Sequence, residues 1–149
     1  MRARHHESNV LYDFGDRRLE SADCIVRVRS TDAGGVLTFK GPKSIASGVR
    51  SREEIETTVA DPSVLATVLD RLGLMPAFRY EKYREVWQWN GQEIVLDETP
   101  IGVFLEIEGD TEGIHAAAAA LGFMPGEFIP DTYVGLFFAG GGSGDMLFR

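Results

Sequence analysis

One cysteine, Cys24, is all that this sequence offers, so no internal disulfide can staple the fold. That scarcity fits a reducing, cytoplasmic setting. Long apolar runs are missing as well: none approaches the roughly 20 residues that a membrane helix requires. The opening MRARHHESN has no apolar stretch behind its basic residues and does not read as a secretory leader. Excess positive charge is also lacking. Fifteen Lys and Arg stand against 23 Asp and Glu, a net charge of −8. This argues against nucleic acid or an anionic membrane as partner, while leaving room for a local basic pocket. There is no internal repeat and no linker. The 149 residues suffice for one domain with a real core, and 44% hydrophobic and 26% charged residues are ordinary for a soluble globular protein.

What the sequence does have is alternation. In Ile94–Asp110, read as two strands joined by a turn at Pro100 and Gly102, Val103, Leu105 and Ile107 point one way and Phe104, Glu106 and Glu108 the other. In the first of these strands Ile94 and Leu96 share one side, Val95 and Asp97 the other. Similar strands are expected at 5–13, 24–30, 36–40, 49–59 and 77–89. Hairpin turns are expected at Asp32–Gly35 and Asn90–Gly91. Residues 43–48 read as a loop. Helices are expected over 62–72, with Asp61 as N-cap, Pro62 at the first position and a Leu65, Val68, Leu69, Leu72 stripe, over 111–121, and as a short terminal helix over 131–138. The glycine-rich end, 139–149, reads as a mobile tail to a single domain over 1–138.

The faces then sort the chemistry. Val26 and Val28 oppose Arg27 and Arg29; Leu37 and Phe39 oppose Thr38 and Lys40. Ile55 and Val59 oppose Arg50, Arg52, Glu54 and Glu56. Tyr83, Trp87 and Trp89 oppose Tyr80, Lys82, Arg84 and Val86. Each strand thus has an apolar side and a side of long charged residues, seven basic and five acidic in all. On an open sheet that side would simply meet water. On a barrel with its apolar side under the helices, the charges would converge. Focused cations ask for an anion such as polyphosphate, and focused carboxylates ask for Mg²⁺ or Mn²⁺ held partly by phosphate oxygens. Blander readings stand beside these. Glu54 and Glu56 can pair with neighbouring cations, Lys40 can solvate a strand end, and His5 and His6 read as surface residues without metal-site spacing.

The motifs RVR (Arg27, Arg29), LTFKGP (Lys40), REEIE (Arg52, Glu54, Glu56), KYR (Lys82, Arg84), LD (Asp97) and FLEIEG (Glu106, Glu108) occur together in this order. As a set they resemble the CYTH domain, or triphosphate tunnel metalloenzymes, most closely the class IV adenylate cyclase branch. The resemblance implies an α+β fold: an eight-stranded antiparallel β-barrel forming a tunnel, with helices packed outside. It implies that Arg27, Arg29, Lys40, Arg52, Lys82 and Arg84 bind triphosphate oxygens. Glu106, Glu108 and Asp97 would hold Mg²⁺ or Mn²⁺, with Asp97, Arg84 and Lys82 in catalytic roles. Glu54 and Glu56 would line the tunnel, and Asp131-Thr132-Tyr133 looks like the family's terminal Ser-Tyr element. One departure stands out. The family's opening strand, with Glu-x-Glu-x-Lys, has no counterpart here, so a missing first strand, two open sheet edges and weakened catalysis are expected.

Three functions follow for comparison. One is a metal-dependent enzyme acting on a nucleoside triphosphate or inorganic polyphosphate, as a cyclase or a hydrolase. Another is a non-catalytic polyphosphate-binding module. The third is a structural barrel whose charges pair with one another. Open edges would also permit a homodimer.

Overall fold

A computed structural model describes residues 1–149 apart from Ala33 and Ser47. The turn expected at 32–35 and the loop expected at 43–48 each contain one of these two residues, which lie outside the described set. Among the described residues, nine strands and four α-helices follow one another along the chain. The strands are β1 (Arg2–Phe14), β2 (Ile25–Thr31), β3 (Gly34–Lys40), β4 (Ser44–Ala46), β5 (Val49–Ser51), β6 (Glu54–Val59), β7 (Leu74–Trp89), β8 (Gln92–Thr99) and β9 (Gly102–Glu108). The helices are α1 (Arg18–Ser21), α2 (Pro62–Arg71), α3 (Thr111–Ala120) and α4 (Tyr133–Ala139). None of the described helices is long and apolar enough to cross a membrane.

Seven strands form one antiparallel sheet in the order β6-β3-β2-β1-β7-β8-β9. The architecture is therefore α+β and sheet-rich, as expected. Among the described residues β6 and β9 each pair on one side only, so the sheet is a curled, tunnel-like trough with the two open edges expected and not a closed barrel. Strand β1 lies in its middle, paired with β7 along nearly its whole length and with β2 over Ser8–Tyr12. This placement makes alternate side chains of the strand expected at 5–13 part of the sheet's interior face.

Local chemistry fixes the elements. The Asp61 carboxylate accepts from the Ser63 and Val64 amides at 2.8 and 3.2 Å, and Pro62 needs no such partner at the first helical position. Asn90 and Gly91, with φ of 46° and 83°, provide the left-handed pair that matches a two-residue hairpin to strand twist. The Thr132 hydroxyl accepts from the Gly135 amide at 3.0 Å, so α4 starts at Tyr133, two residues later than expected.

The expected strand over 49–59 is broken in two. Arg52 donates to the carbonyls of Gly41 and Asp23, both at 2.6 Å, and these bonds bend the chain between β5 and β6. Strand β5 turns away to pair with β4, within the stretch read as a loop, in a separate ribbon.

The apolar face packs as the alternation requires. Tyr12, Val28, Leu69 and Leu74 form a buried cluster, joined by Val10, Val26, Leu37, Leu65 and Ala66. Helix α2 meets the sheet through Leu65, Ala66 and Leu69. Val68 and Leu72, also on the expected stripe, stay 48% and 65% exposed, because a single helix laid on a twisted sheet contacts it along a narrow line.

A second cluster lies on the opposite face. Phe78, Tyr80 and Met146 are buried there, with Leu11, Tyr133, Val134 and Phe137 around them. Helix α4 thus packs on the inner side of the trough rather than outside. The glycine-rich end, expected to be mobile, makes specific contacts in the structure. Met146 exchanges backbone bonds with Arg79 and Glu81 at 2.9 and 3.1 Å, where β7 runs on beyond its pairing with β8. Its side chain is 1% exposed.

Leu69→Ala is expected to lower unfolding stability by about 2–4 kcal/mol in urea titrations, from lost burial and a residual cavity. Val68→Ala, one residue away, is expected to change it by less than about 0.5 kcal/mol.

Candidate functional site

Each strand of the sheet turns polar side chains to the inner face, and the curl of the sheet buries most of them against each other, with Glu54, Glu56 and Glu108 left exposed. From β1 come Glu7 and Asn9, from β2 Arg27 and Arg29, and from β3 Thr38 and Lys40. From β6 come Glu54 and Glu56, from β7 Tyr80, Lys82 and Arg84, from β8 Asp97 and from β9 Glu106 and Glu108. Glu7, Asn9, Arg27, Thr38, Lys82, Arg84 and Asp97 are all buried. The two flanks approach across the trough: Lys40 on β3 lies near enough to Glu108 on β9 to act on its charge.

The densest part centres on Asp97, which is 0% exposed. Arg84 grips it with Nε to Oδ1 at 2.8 Å and Nη2 to Oδ2 at 2.6 Å, the bidentate fit of a guanidinium to a carboxylate. Lys82 Nζ donates to Oδ2 at 2.8 Å, and the Tyr133 hydroxyl to the same oxygen at 2.9 Å. Arg84 Nη2 also reaches Glu106 Oε2 at 2.7 Å, and its Nη1 stands 3.7 Å from Glu108. Burial alone would raise the pKa of Asp97. The Arg84 hydrogen bond and the charges of Lys82 and Arg84 outweigh it and hold the group at about 2. Burial, with Glu106 and Asp97 alongside, pushes the Tyr133 phenol well above its ordinary range, so the hydroxyl stays a donor.

A second cluster occupies the β2–β3–β6 flank. Arg27 Nη2 donates to Thr38 Oγ1 at 3.1 Å and to Glu56 Oε1 at 3.3 Å, and Thr38 donates to the same Glu56 oxygen at 2.7 Å. Lys40 Nζ pairs with Glu54 at 2.9 Å. Burial, then the nearby Arg27, lower the pKa of Lys40 against the pull of Glu54. Strand β1 joins the two flanks: Glu7 Oε2 is 3.3 Å from Arg29 Nε and 3.7 Å from Lys82 Nζ, and Asn9 Oδ1 is 3.4 Å from Arg29 Nε. Two buried donors here, Arg27 Nε and Asn9 Nδ2, have no hydrogen-bond partner among the described residues.

Five of the six expected phosphate-binding cations therefore share this face. Arg52 does not join them through any contact the structure gives: it is spent on Gly41, Asp23 and the bend after β5. The expected metal set also divides. Asp97 already receives four hydrogen bonds from protein donors and does not fit a metal ion as it stands. Glu106 and the half-exposed Glu108 offer two carboxylates, a set that suits Mg²⁺ when phosphate oxygens and water complete its shell. No cluster of three or more metal-type ligands forms among the described residues.

Glu7 and Asn9 were not among the expected site residues. Their alternation with Leu11 was readable, but only if 5–13 was taken as a central strand. His5 shares the inner side, with Nε2 3.4 Å from Glu7 Oε1, whereas His6 turns outward to the Tyr83 ring.

The geometry agrees with comparison to known proteins. Residues 3–122 match the CYTH domain family, and the chain belongs to it. A candidate adenylate cyclase of Methanocaldococcus jannaschii is 28% identical over 110 residues, which are 73% of this chain and 62% of that protein. The chain thus matches about three fifths of that relative's length. A Pyrococcus horikoshii structure is 26% identical with a TM-score of 0.71, covering 92% of this chain and 85% of that one. A candidate adenylate cyclase of Vibrio parahaemolyticus superposes with a TM-score of 0.77 at 20% identity, covering 90% and 80% of the two chains. A Hippeastrum protein described as a candidate adenylyl cyclase with dominant triphosphatase activity gives 0.71 at 20% identity, covering 95% and 85%. The last two bear on the fold alone.

Asp97→Ala strands Arg84 and Lys82 without their shared counter-charge, and a loss of about 3–5 kcal/mol of stability is expected. Because the folded pKa of Asp97 is depressed, its contribution is present above the unfolded value of about 3.9 and lost as pH falls through about 2. Unfolding midpoints followed from pH 6 to pH 2 should accordingly fall less steeply for Asp97→Asn than for the native chain.

Proposed function

We propose that this chain binds the triphosphate of a nucleotide, or inorganic triphosphate, along the inner face of its trough, and that it does so as an enzyme. The observation that carries this reading is the convergence of Arg27, Arg29, Lys40, Lys82 and Arg84 on one concave, largely buried surface. Guanidinium forks and ammonium groups match phosphate oxygens, and the unpartnered donors of Arg27 and Asn9 suit an incoming acceptor. Membership of a family that includes a relative named as a candidate adenylate cyclase supports the same direction.

In the cyclase form the ribose 3′-hydroxyl attacks the α-phosphorus and pyrophosphate leaves. In the hydrolase form, the activity named for the Hippeastrum protein, water attacks the terminal phosphorus, the bridging P–O bond breaks, and orthophosphate and the diphosphate leave. Either displacement is helped by alignment and charge neutralisation more than by covalent participation of the protein. Arg27 and Arg29 on one wall and Lys82 and Arg84 on the other would grip successive phosphates, and the apolar plug of Phe78, Tyr80 and Met146 would keep water from one end. Glu106 and Glu108 are the residues that would hold Mg²⁺ or Mn²⁺, which when bound supplies further neutralisation of phosphate charge.

The thin carboxylate set favours a second reading, a polyphosphate-binding module without turnover. Mixing the protein with ATP and Mn²⁺ separates the three cases: cyclic AMP identifies a cyclase, orthophosphate a hydrolase, and neither product a binding module. Arg29→Gln is expected to weaken tripolyphosphate binding about ten- to a hundredfold in calorimetric titration, the worth of one charge-assisted contact. A native chain that ignores tripolyphosphate, ATP and their metal complexes alike would overturn the proposal.

A further inference from the structure

Glu7 is an anion buried among the groups assigned to phosphate. Its side chain is 2% exposed and lies between Arg29 and Lys82. Unlike Asp97, it is loosely held. Its shortest contacts are 3.3 Å to Arg29, 3.4 Å to His5 and 3.7 Å to Lys82, and its Oε2 makes no hydrogen bond. Burial works against its charge, yet Lys82, Arg29 and Arg84 keep it ionised, with Asp97 opposing them. Glu7 thus acts on the cations by Coulombic attraction more than by fixing their geometry.

We infer that Glu7 is a built-in competitor for the anionic ligand, limiting how tightly the trough holds a polyphosphate chain. The inference rests on the triphosphate reading of the same face. Arg29, Lys82 and Arg84 bring three positive charges to this part of the trough, and Glu7 and Asp97 bring two negative ones. Asp97 is locked by four donors; Glu7 is the one whose removal changes the charge without unmaking a hydrogen-bonded network. A phosphate between Arg29 and Lys82 meets Glu7 at close range in a poorly hydrated setting, where like charges repel strongly. An enzyme that must release pyrophosphate or orthophosphate gains from such a limit, because a ligand held too firmly by all states is not turned over faster.

The neighbour Asn9 offers a reciprocal test. It is 0% exposed, adjoins Arg29 and is uncharged. Glu7→Gln removes one negative charge without changing shape, and Asn9→Asp adds one. By calorimetry in metal-free buffer, Glu7→Gln is expected to bind tripolyphosphate about tenfold more tightly than the native chain, and Asn9→Asp about tenfold more weakly. Thermal unfolding supplies a second readout: Glu7→Gln without ligand should melt lower than the native chain, yet gain more from saturating tripolyphosphate. If Glu7 merely positions Arg29 and Lys82, both substitutions weaken binding, and the inference fails. Should Glu7→Gln not fold, Glu7→Ser removes the same charge with a smaller side chain and takes its place: tighter tripolyphosphate binding supports the inference, and unchanged or weaker binding overturns it. A native chain that does not bind tripolyphosphate at all refutes the phosphate reading itself, a different outcome from native binding with no opposite response of the two variants.

Discussion

Asp97 is a carboxylate with no access to water, and it is tolerable only because Arg84, Lys82 and Tyr133 surround it. Isolated burial of such a charge would drive it to protonate or unfold its surroundings. The constraint radiates outward. Arg84 carries it to Glu106 on β9, Lys82 to Glu7 on β1, and Tyr133 to α4. The curl of the sheet and the seating of α4 are two sides of one requirement, that every charge on the inner face find a partner there. The apolar face is held together more simply, by α2 lying across it and by Leu69 and its neighbours closing the gap.

This contrast between the two faces explains what could be read in the residues. Two-residue alternation is set by the pleat alone, so the separation of Arg27, Lys82, Arg84, Asp97, Glu106 and Glu108 from the aliphatic side needed no tertiary knowledge, whereas the inward turn of their side depends on how the sheet curls. Caps and turns were equally local, as at Asp61-Pro62 and Asn90-Gly91. Arg52 was not legible. On a continuous strand it would share a side with Glu54 and Glu56, but its bonds to Gly41 and Asp23 come from segments distant in sequence, and they break that strand. Glu7 and Asn9 were obscured for a related reason. A terminal segment rich in polar residues looks peripheral until its two pairing partners, β2 and β7, are known. The expected set of metal ligands overlooked a competition that only packing reveals: Arg84 and Lys82 reach Asp97 first.

Belonging to the CYTH family fixes the architecture within which these particulars matter. On the function proposed above, the same trough would serve cyclisation, hydrolysis or binding alone, because charge complementarity precedes chemistry in all three. Much of the charge on this chain's inner face is satisfied internally. Its arginines and lysines already have carboxylates close by, so an incoming ligand must exchange partners with the protein rather than simply fill a positive cavity.

The docked end of the chain has a consequence of another kind. Met146 lies enclosed by Phe78 and Tyr80, and its backbone extends the hydrogen bonding of β7 where β8 has ended. A thioether so enclosed is out of reach of peroxide while the tail is seated, and its sulfoxide would not return comfortably to an apolar niche. The speed with which that sulfur oxidises is therefore a clock for how often the last residues lift away from the sheet.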